Sequence, residues 1–451
     1  MTQNLTLTLA QYAASTSAQS IPVEVKERAK HIIFDEMACS HFGRSSLAGG
    51  LAAKYATTMG GPMESRILGT GLRAPAHYAA FANGAAGHGY EVDGAHVMGG
   101  HPGATVVLGA LAISERQRAS GADFLNAVVL GYDMGIRIIE ACGKMFRVKN
   151  RFHLHADFLH AVGTSVAVCR ILGLDPLRHC HAMALATFQS NSLGSFFGER
   201  RHISKSLCHG QFAFAAISAA LMSAAGLEGD EDVLGSQHGV LEAWGVEDGR
   251  DLLLRGLGKD YAVMGANFKF INAGYPIHSA VEAAMTLLTQ HNLRAEAIAS
   301  VQVGMPSNAM RVVDNRHMHN ICLQDMISVA IVRRGLKISE PYFPAILDDP
   351  AFSRIRPLVT LGVDAGLEAD QPEGRGSRVT ITTVDGSTVS QRVDAARGHS
   401  SRGGVTWSDL AEKWRGALPG CDVDHALRLA QGLEDIEDVS ILSQAFTGEG
   451  D

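Results

Sequence analysis

Apolar residues recur at helical spacing over most of this chain. Val25, Ala29, Ile32, Ile33 and Met37 lie on one face of a segment that opens at Ser20-Ile21-Pro22, a cap followed by a proline suited to a first helical turn. The same period predicts helices near 5–14, 51–59, 75–86, 102–118, 121–141, 155–173, 176–190 and 209–225. The segment 209–225 is apolar on nearly every face, as expected of a helix at the centre of a bundle. Almost no strand alternation precedes residue 265.

The texture changes near Lys269. Val301-Gln302-Val303-Gly304-Met305 alternates with period two. The runs 378–384 and 387–393 flank Asp385-Gly386, a two-residue hairpin signal. Helical stretches at 277–290 and 322–334 accompany them, and helical texture returns after residue 408. The expected fold is therefore mainly α, a large all-helical bundle built from both chain ends (1–267 and 401–451). A smaller α+β lid domain (268–400) is inserted in it.

Composition narrows the class. The 451 residues are too many for one ordinary core, and 46% apolar with 19% charged is usual for a globular enzyme. Plentiful Gly and Ala favour closely packed helices. A net charge of −7 gives no nucleic-acid footprint. The seven cysteines contain no Cys-x-x-Cys pair and read as reduced thiols. The N-terminal stretch has no signal-peptide pattern, and no uninterrupted apolar run suggests a membrane span, so the expected compartment is the cytoplasm.

Candidate chemistry centres on residues 85–103, a Gly-rich stretch holding His88, Glu91, Asp93, His96 and His101. Imidazoles beside carboxylates cover the pKa range for acid–base work near neutrality. His88, Asp93, His96 and His101 could instead ligate zinc, although the spacing matches no His-Glu-x-x-His signature. Residues 150–155 read as the opening of a helix, where His153 would be kept neutral by the helix dipole. Arg200, Arg201, His202, Lys205 and His209 concentrate positive charge just before the buried helix, a place where an anion could bind. No GxGxxG, Walker A or GxSxG pattern speaks for a nucleotide or an activated serine.

With these residues in order, the chain resembles the MmgE/PrpD family over nearly its whole length. The resemblance is carried by Glu91-Val92-Asp93 with His101-Pro102-Gly103, by Phe152-His153, by Lys205-Ser206-Leu207-Cys208-His209-Gly210 and by Tyr275-Pro276-Ile277-His278. It implies a helical domain with an α+β lid, a homodimer, a site between the domains, and no metal or organic cofactor. It also implies a small anionic carboxylate substrate. Carried over by position, it makes Glu91, Asp93, His101, His153 and Lys205 the expected catalytic residues. His209, His96, His278 and Arg201 are the expected substrate-binding residues. Glu91, Gly94 and Ala95 depart from the family's usual Asp-x-Asp-Asp-Thr, and Leu154 stands where Pro usually follows the His. The expected activity is a cofactor-independent lyase, a dehydratase or decarboxylase working through a carbanion. An epimerase or isomerase on a related dicarboxylate is the alternative.

Overall fold

The structure is a computed structural model that describes residues 3–339, 345–371 and 374–447. Helix α1 (Leu5–Ser15) is capped by the Asn4 side chain, and α2 (Val23–Gly43) follows Pro22. α3 (Leu47–Thr58) is capped by Ser46, and the short strands β1 (Ser65–Arg66) and β2 (Arg73–Ala74) then lead to α4 (Ala76–Gly87). After the His-rich stretch, which contains β3 (Ala95–His96), come α5 (Pro102–Gln117), α6 (Gly121–Ala141) and α7 (Lys144–Phe152). α8 (His160–Ile171), α9 (Pro176–Gln189) and α10 (Ser204–Ala224) complete the bundle, with α11 (Val240–Trp244) and α12 (Gly249–Leu254) beside it.

Small residues set the closest crossings. A Cβ added at Gly210 of α10 would stand 2.1 Å from the Phe81 carbonyl oxygen, and one at Gly84 of α4 would stand 2.8 Å from Gly210 Cα. These two backbones therefore touch, and the residues at the ends of α4 and α10 are brought together. Gly131 and Gly135 of α6 meet Gly163 of α8 in the same way. α10 is long and apolar enough to cross a membrane by length and composition. Here it packs among α4, α5, α8 and α9.

Strand β4 (Ala266–Asn267) pairs antiparallel with β3, Ala95 opposite Asn267. This ladder ties the His-rich stretch to the point where the α+β half begins. That half contains α13 (His278–Gln290), β5 (Ile298–Met305), α14 (Ser307–Val313), α15 (Leu323–Arg333), α16 (Pro350–Ile355), β6 (Val359–Val363), α17 (Ala365–Glu368), β7 (Ser377–Thr383) and β8 (Thr388–Val393). The sheet order is β6-β5-β7-β8, with β5–β6 parallel and the other pairs antiparallel. The β7–β8 turn places Gly386 at φ 86°, the conformation that the Asp-Gly signal supplies. Buried residues from α13, α15 and the inner faces of β5 and β7 form a core of their own.

Helices α18 (Trp407–Trp414), α19 (Val423–Gln431) and α20 (Ser440–Gln444) return to the bundle. Trp414, Leu427 and Phe446 share the core of α2, α5 and α6. The buried Lys413 ammonium binds both Asp35 oxygens, at 2.7 and 2.9 Å. The strands β1, β2, β3, β4 and β6 fall outside the sequence-based expectation. Four of them are two residues long, too short for a period to register.

Candidate active site

α4 ends at Gly87, and the chain turns sharply through His88 and Glu91. Glu91 adopts φ 55°, a left-handed backbone that a side-chain-bearing residue seldom takes. Such strain persists only where the surroundings enforce it. Here Lys269, fully buried, donates to the Glu91 carbonyl at 3.1 Å and to Oε2 at 2.9 Å. Lys205, in the first turn of α10, donates to Oε1. One buried carboxylate thus lies between two ammonium groups. Burial alone would raise its pKa, but Lys205 and Lys269 outweigh burial and hold Glu91 well below the usual carboxylate range.

Asp93 organises the imidazoles. Its oxygens lie 2.9 Å from His88 Nδ1 and 3.0 Å from His101 Nδ1. The Gly94 carbonyl also lies 3.0 Å from His101 Nδ1. Both neighbours of that nitrogen are acceptors, so it carries the proton and Nε2 keeps its lone pair. Burial, with Lys269 and His88 nearby, pushes His101 down to about 3 despite Asp93. His101 is therefore a neutral base near pH 7. Its backbone is equally constrained: it precedes Pro102 at the N-cap of α5, and its N–H donates to Asp157 Oδ2 at 2.9 Å.

His88 Nε2 faces both Glu91 Oε1, at 3.1 Å, and the Lys205 ammonium. A protonated Nε2 and a protonated Lys205 would point hydrogens at each other. The ring donates from Nδ1 to Asp93 and turns its Nε2 lone pair toward the Lys205 ammonium. Burial disfavours the imidazolium of His88, but Asp93 and Glu91 outweigh it and raise its pKa.

Behind this layer stand His209 and His155. The His209 ring lies 4.4 Å from His88 and 6.0 Å from His155. Both are held neutral, His209 by burial and by His88, His155 by burial and by Lys205. Between them Asp157 Oδ1 has no hydrogen-bond partner among the described residues, and burial raises this carboxyl to about 7.

A pocket of about 70 Å³, room for roughly five waters, opens beside these groups. Its polar walls are Glu91, His96, His101, His155, Lys205 and Arg375, and Phe146, Phe197 and Tyr275 close it. Gly274, Tyr275, Pro276, Val312, Ile321 and Arg375 come from the α+β half and the rest from the bundle, so the pocket lies between the two.

Of the residues expected from sequence, Glu91, Asp93, His101, Lys205 and His209 meet in one cluster, and His96 lines the pocket. His153 does not join them. Residues 150–152 end α7 rather than opening a helix, and His153 caps it at φ 58° with its side chain exposed. His153 thus stands at the C-terminal end of a helix and not at a helix start, and the next histidine, His155, reaches the pocket. His278 is buried against the Ala273 carbonyl at 3.1 Å, outside the pocket lining. Arg201 sits in an exposed turn on another face. Lys205 lies inside α10, and the helix's free N–H groups are not open to a ligand. The Glu199 carboxylate accepts from the N–H groups of Ile203, Ser204 and Lys205.

Sequence reasoning missed Lys269, Asp157, His155 and Arg375. Lys269 alone carried a signal, a cation between Phe268 and Phe270 where burial without a partner would be costly. Of the possible zinc set, His88 and His101 come together with Glu91, their donor atoms within 4.8 Å of one another. The Glu91 oxygens are already engaged by two ammonium groups, which a divalent cation would have to displace. The donor set fits internal ion pairing better than a metal.

Buried imidazoles, buried ion pairs and a small pocket between a helical bundle and an α+β half are the marks of an enzyme site. The chain belongs to the MmgE/PrpD family: residues 7–250 match the MmgE/PrpD N-terminal domain and residues 272–435 the C-terminal domain. It is similar to the human cis-aconitate decarboxylase, 23% identical over 94% of this chain and 90% of the relative. The cis-aconitate decarboxylase of Aspergillus terreus is 24% identical over 87% of this chain and 85% of its own. The cis-aconitate decarboxylase-like protein oryM of Aspergillus oryzae is 24% identical over 99% and 98%.

Proposed function

We propose that this chain is a lyase that removes CO₂ or water from a small di- or tricarboxylate. In this reading it works in the cytoplasm as a homodimer and needs no metal or organic cofactor. The observation that carries the reading is the neutral His101 in one pocket lining with the cations Lys205 and Arg375. A carboxylate in this pocket meets positive charge from Lys205 and Arg375. Loss of CO₂ leaves the bond's electron pair on carbon, and loss of water begins by taking a proton from carbon. Both pass through negative charge beside a retained carboxylate. A well-placed donor stabilises such charge by roughly 3 kcal/mol.

His101 Nε2, unprotonated and oriented by Asp93, is the base that takes the carbon proton in a dehydration. In a decarboxylation the carbanion must instead gain a proton. Lys205, on the pocket lining and hydrogen-bonded to His88, is placed to supply it. His155 on the same lining is a second neutral imidazole.

The names of the relatives favour decarboxylation of a cis-aconitate-like acid. Candidate tricarboxylates assayed in deuterated water test this. The expected result is CO₂ release with one deuterium at the carbon that lost it. Water release points to the dehydratase. Deuterium incorporation without loss of CO₂ or water replaces the lyase with an epimerase. No turnover of any di- or tricarboxylate overturns the reading.

A further inference from the structure

Outside Phe146 and Phe197 lies a second, wider cavity of about 530 Å³ that shares these two rings with the inner pocket. Lys149 and His153, at the end of α7, form one wall, and Arg311 and Arg316 of the α+β half form the other. Among the described residues its lining contains no carboxylate, although the chain as a whole carries a net charge of −7. The Lys149 ammonium stands 4.0 Å from the centre of the Phe197 ring, and Arg316 donates to the Phe197 carbonyl. Burial, and then Arg316, lowers Lys149 to about 8. Cations from the two halves of the chain therefore line one open space.

Like charges gathered at low dielectric repel, and an anion between them relieves that repulsion. The cavity is large enough for a molecule with several carboxylates, one to each cation. Its inner wall is the aromatic pair that closes the reaction pocket.

We propose that this antechamber is a second anion site, separate from the inner pocket, that takes a small polycarboxylate through Lys149, Arg311 and Arg316. An anion held there bridges the bundle and the α+β half and draws them together over Phe146 and Phe197. The choice of polycarboxylate rests on the reading of the inner pocket given above.

The test is calorimetric titration of citrate into the full chain carrying Lys205→Met, whose inner pocket has lost its ammonium. Citrate is expected still to bind, more weakly as sodium chloride is added. Adding Lys149→Gln and Arg316→Gln should weaken it at least ~10-fold. Arg311→Gln alone, at an exposed position, is a second variant that leaves the bundle untouched, and it should weaken citrate severalfold. Selenate soaked into crystals should appear between Lys149 and Arg316. Loss of citrate binding on Lys205→Met alone, or binding unchanged by the Lys149, Arg311 and Arg316 substitutions, overturns the site. Sulfate binding as tightly as citrate overturns the polycarboxylate class. Citrate binding here in an enzyme that turns over no polycarboxylate would keep this site and remove the lyase reading.

Discussion

Asp93 Oδ2 stands 3.0 Å from His101 Nδ1 and fixes which nitrogen of that ring is the base. Asp93→Asn keeps the size of the side chain but removes the charge, and it leaves an amide that can donate to the ring instead of accepting. The expected result is turnover reduced at least ~100-fold with the fold retained. Steady-state kinetics beside circular dichroism would measure it. A variant with near-normal turnover would show that Gly94 alone orients the ring.

His153 and His155 differ by two residues and by their surroundings. His153→Ala should leave kcat within about 3-fold of wild type, because the side chain is solvated and caps a helix end. His155→Ala, His101→Ala and Lys205→Ala should each lower kcat at least ~100-fold. If His153→Ala matched the other three, the antechamber would belong to the chemistry rather than to capture.

Lys269 is fully buried against Glu91, and Lys269→Met leaves that carboxylate with half of its compensation. Breaking a buried pair on one side costs about 3–5 kcal/mol. Urea unfolding of Lys269→Met should report a loss of that order, and the double variant Lys269→Met/Glu91→Gln should recover part of it. Equal stability of single and double variants would mean that Lys205 alone satisfies Glu91.

Two groups should give pH slopes of opposite sign. His278 is pushed down to about 3, chiefly by burial and then by Lys269. Below its unfolded pKa of about 6.5 the unfolded chain takes up a proton there that the native state refuses. Stability is therefore lost as pH falls from about 6.5. His278→Leu should gain on wild type by about 1.4 kcal/mol per pH unit over that range. Asp157 is raised to about 7 by burial, so the native state keeps a proton that the unfolded chain gives up above about 4. Asp157→Asn should gain on wild type as pH rises from about 4 to 7. Urea midpoints across pH 4–8 check both, and parallel curves for the two variants would refute the assignments.

The bundle was legible in the sequence because its helices repeat their apolar positions over three turns or more. The hairpin at Asp385-Gly386 was legible because one dipeptide encodes its turn. The site was legible in part. Glu91, Asp93, His101, Lys205 and His209 announced themselves by residue type. Lys269 showed only as a cation between two aromatics and Arg375 not at all, because the β3–β4 ladder and the lid-side fold that bring them to the site leave no local pattern. His153 was favoured over its neighbour by motif position. The left-handed turn that ends α7 and turns the chain toward His155 has no glycine to mark it. The Gly84–Gly210 crossing, which joins the His88 end of α4 to Lys205, likewise shows in sequence only as two glycines in Ala-rich runs.

The ion pair between Lys413 and Asp35 has a consequence for biosynthesis. Lys413 also donates to the Val92 carbonyl at 3.2 Å, between Glu91 and Asp93. A nascent chain that has reached residue 400 already holds every group lining the pocket, yet the peptide that carries its two central carboxylates still lacks this anchor. Acid–base competence should therefore arise late in translation, when α18 docks, so that ribosome-stalled fragments would fold much of the bundle while remaining inert.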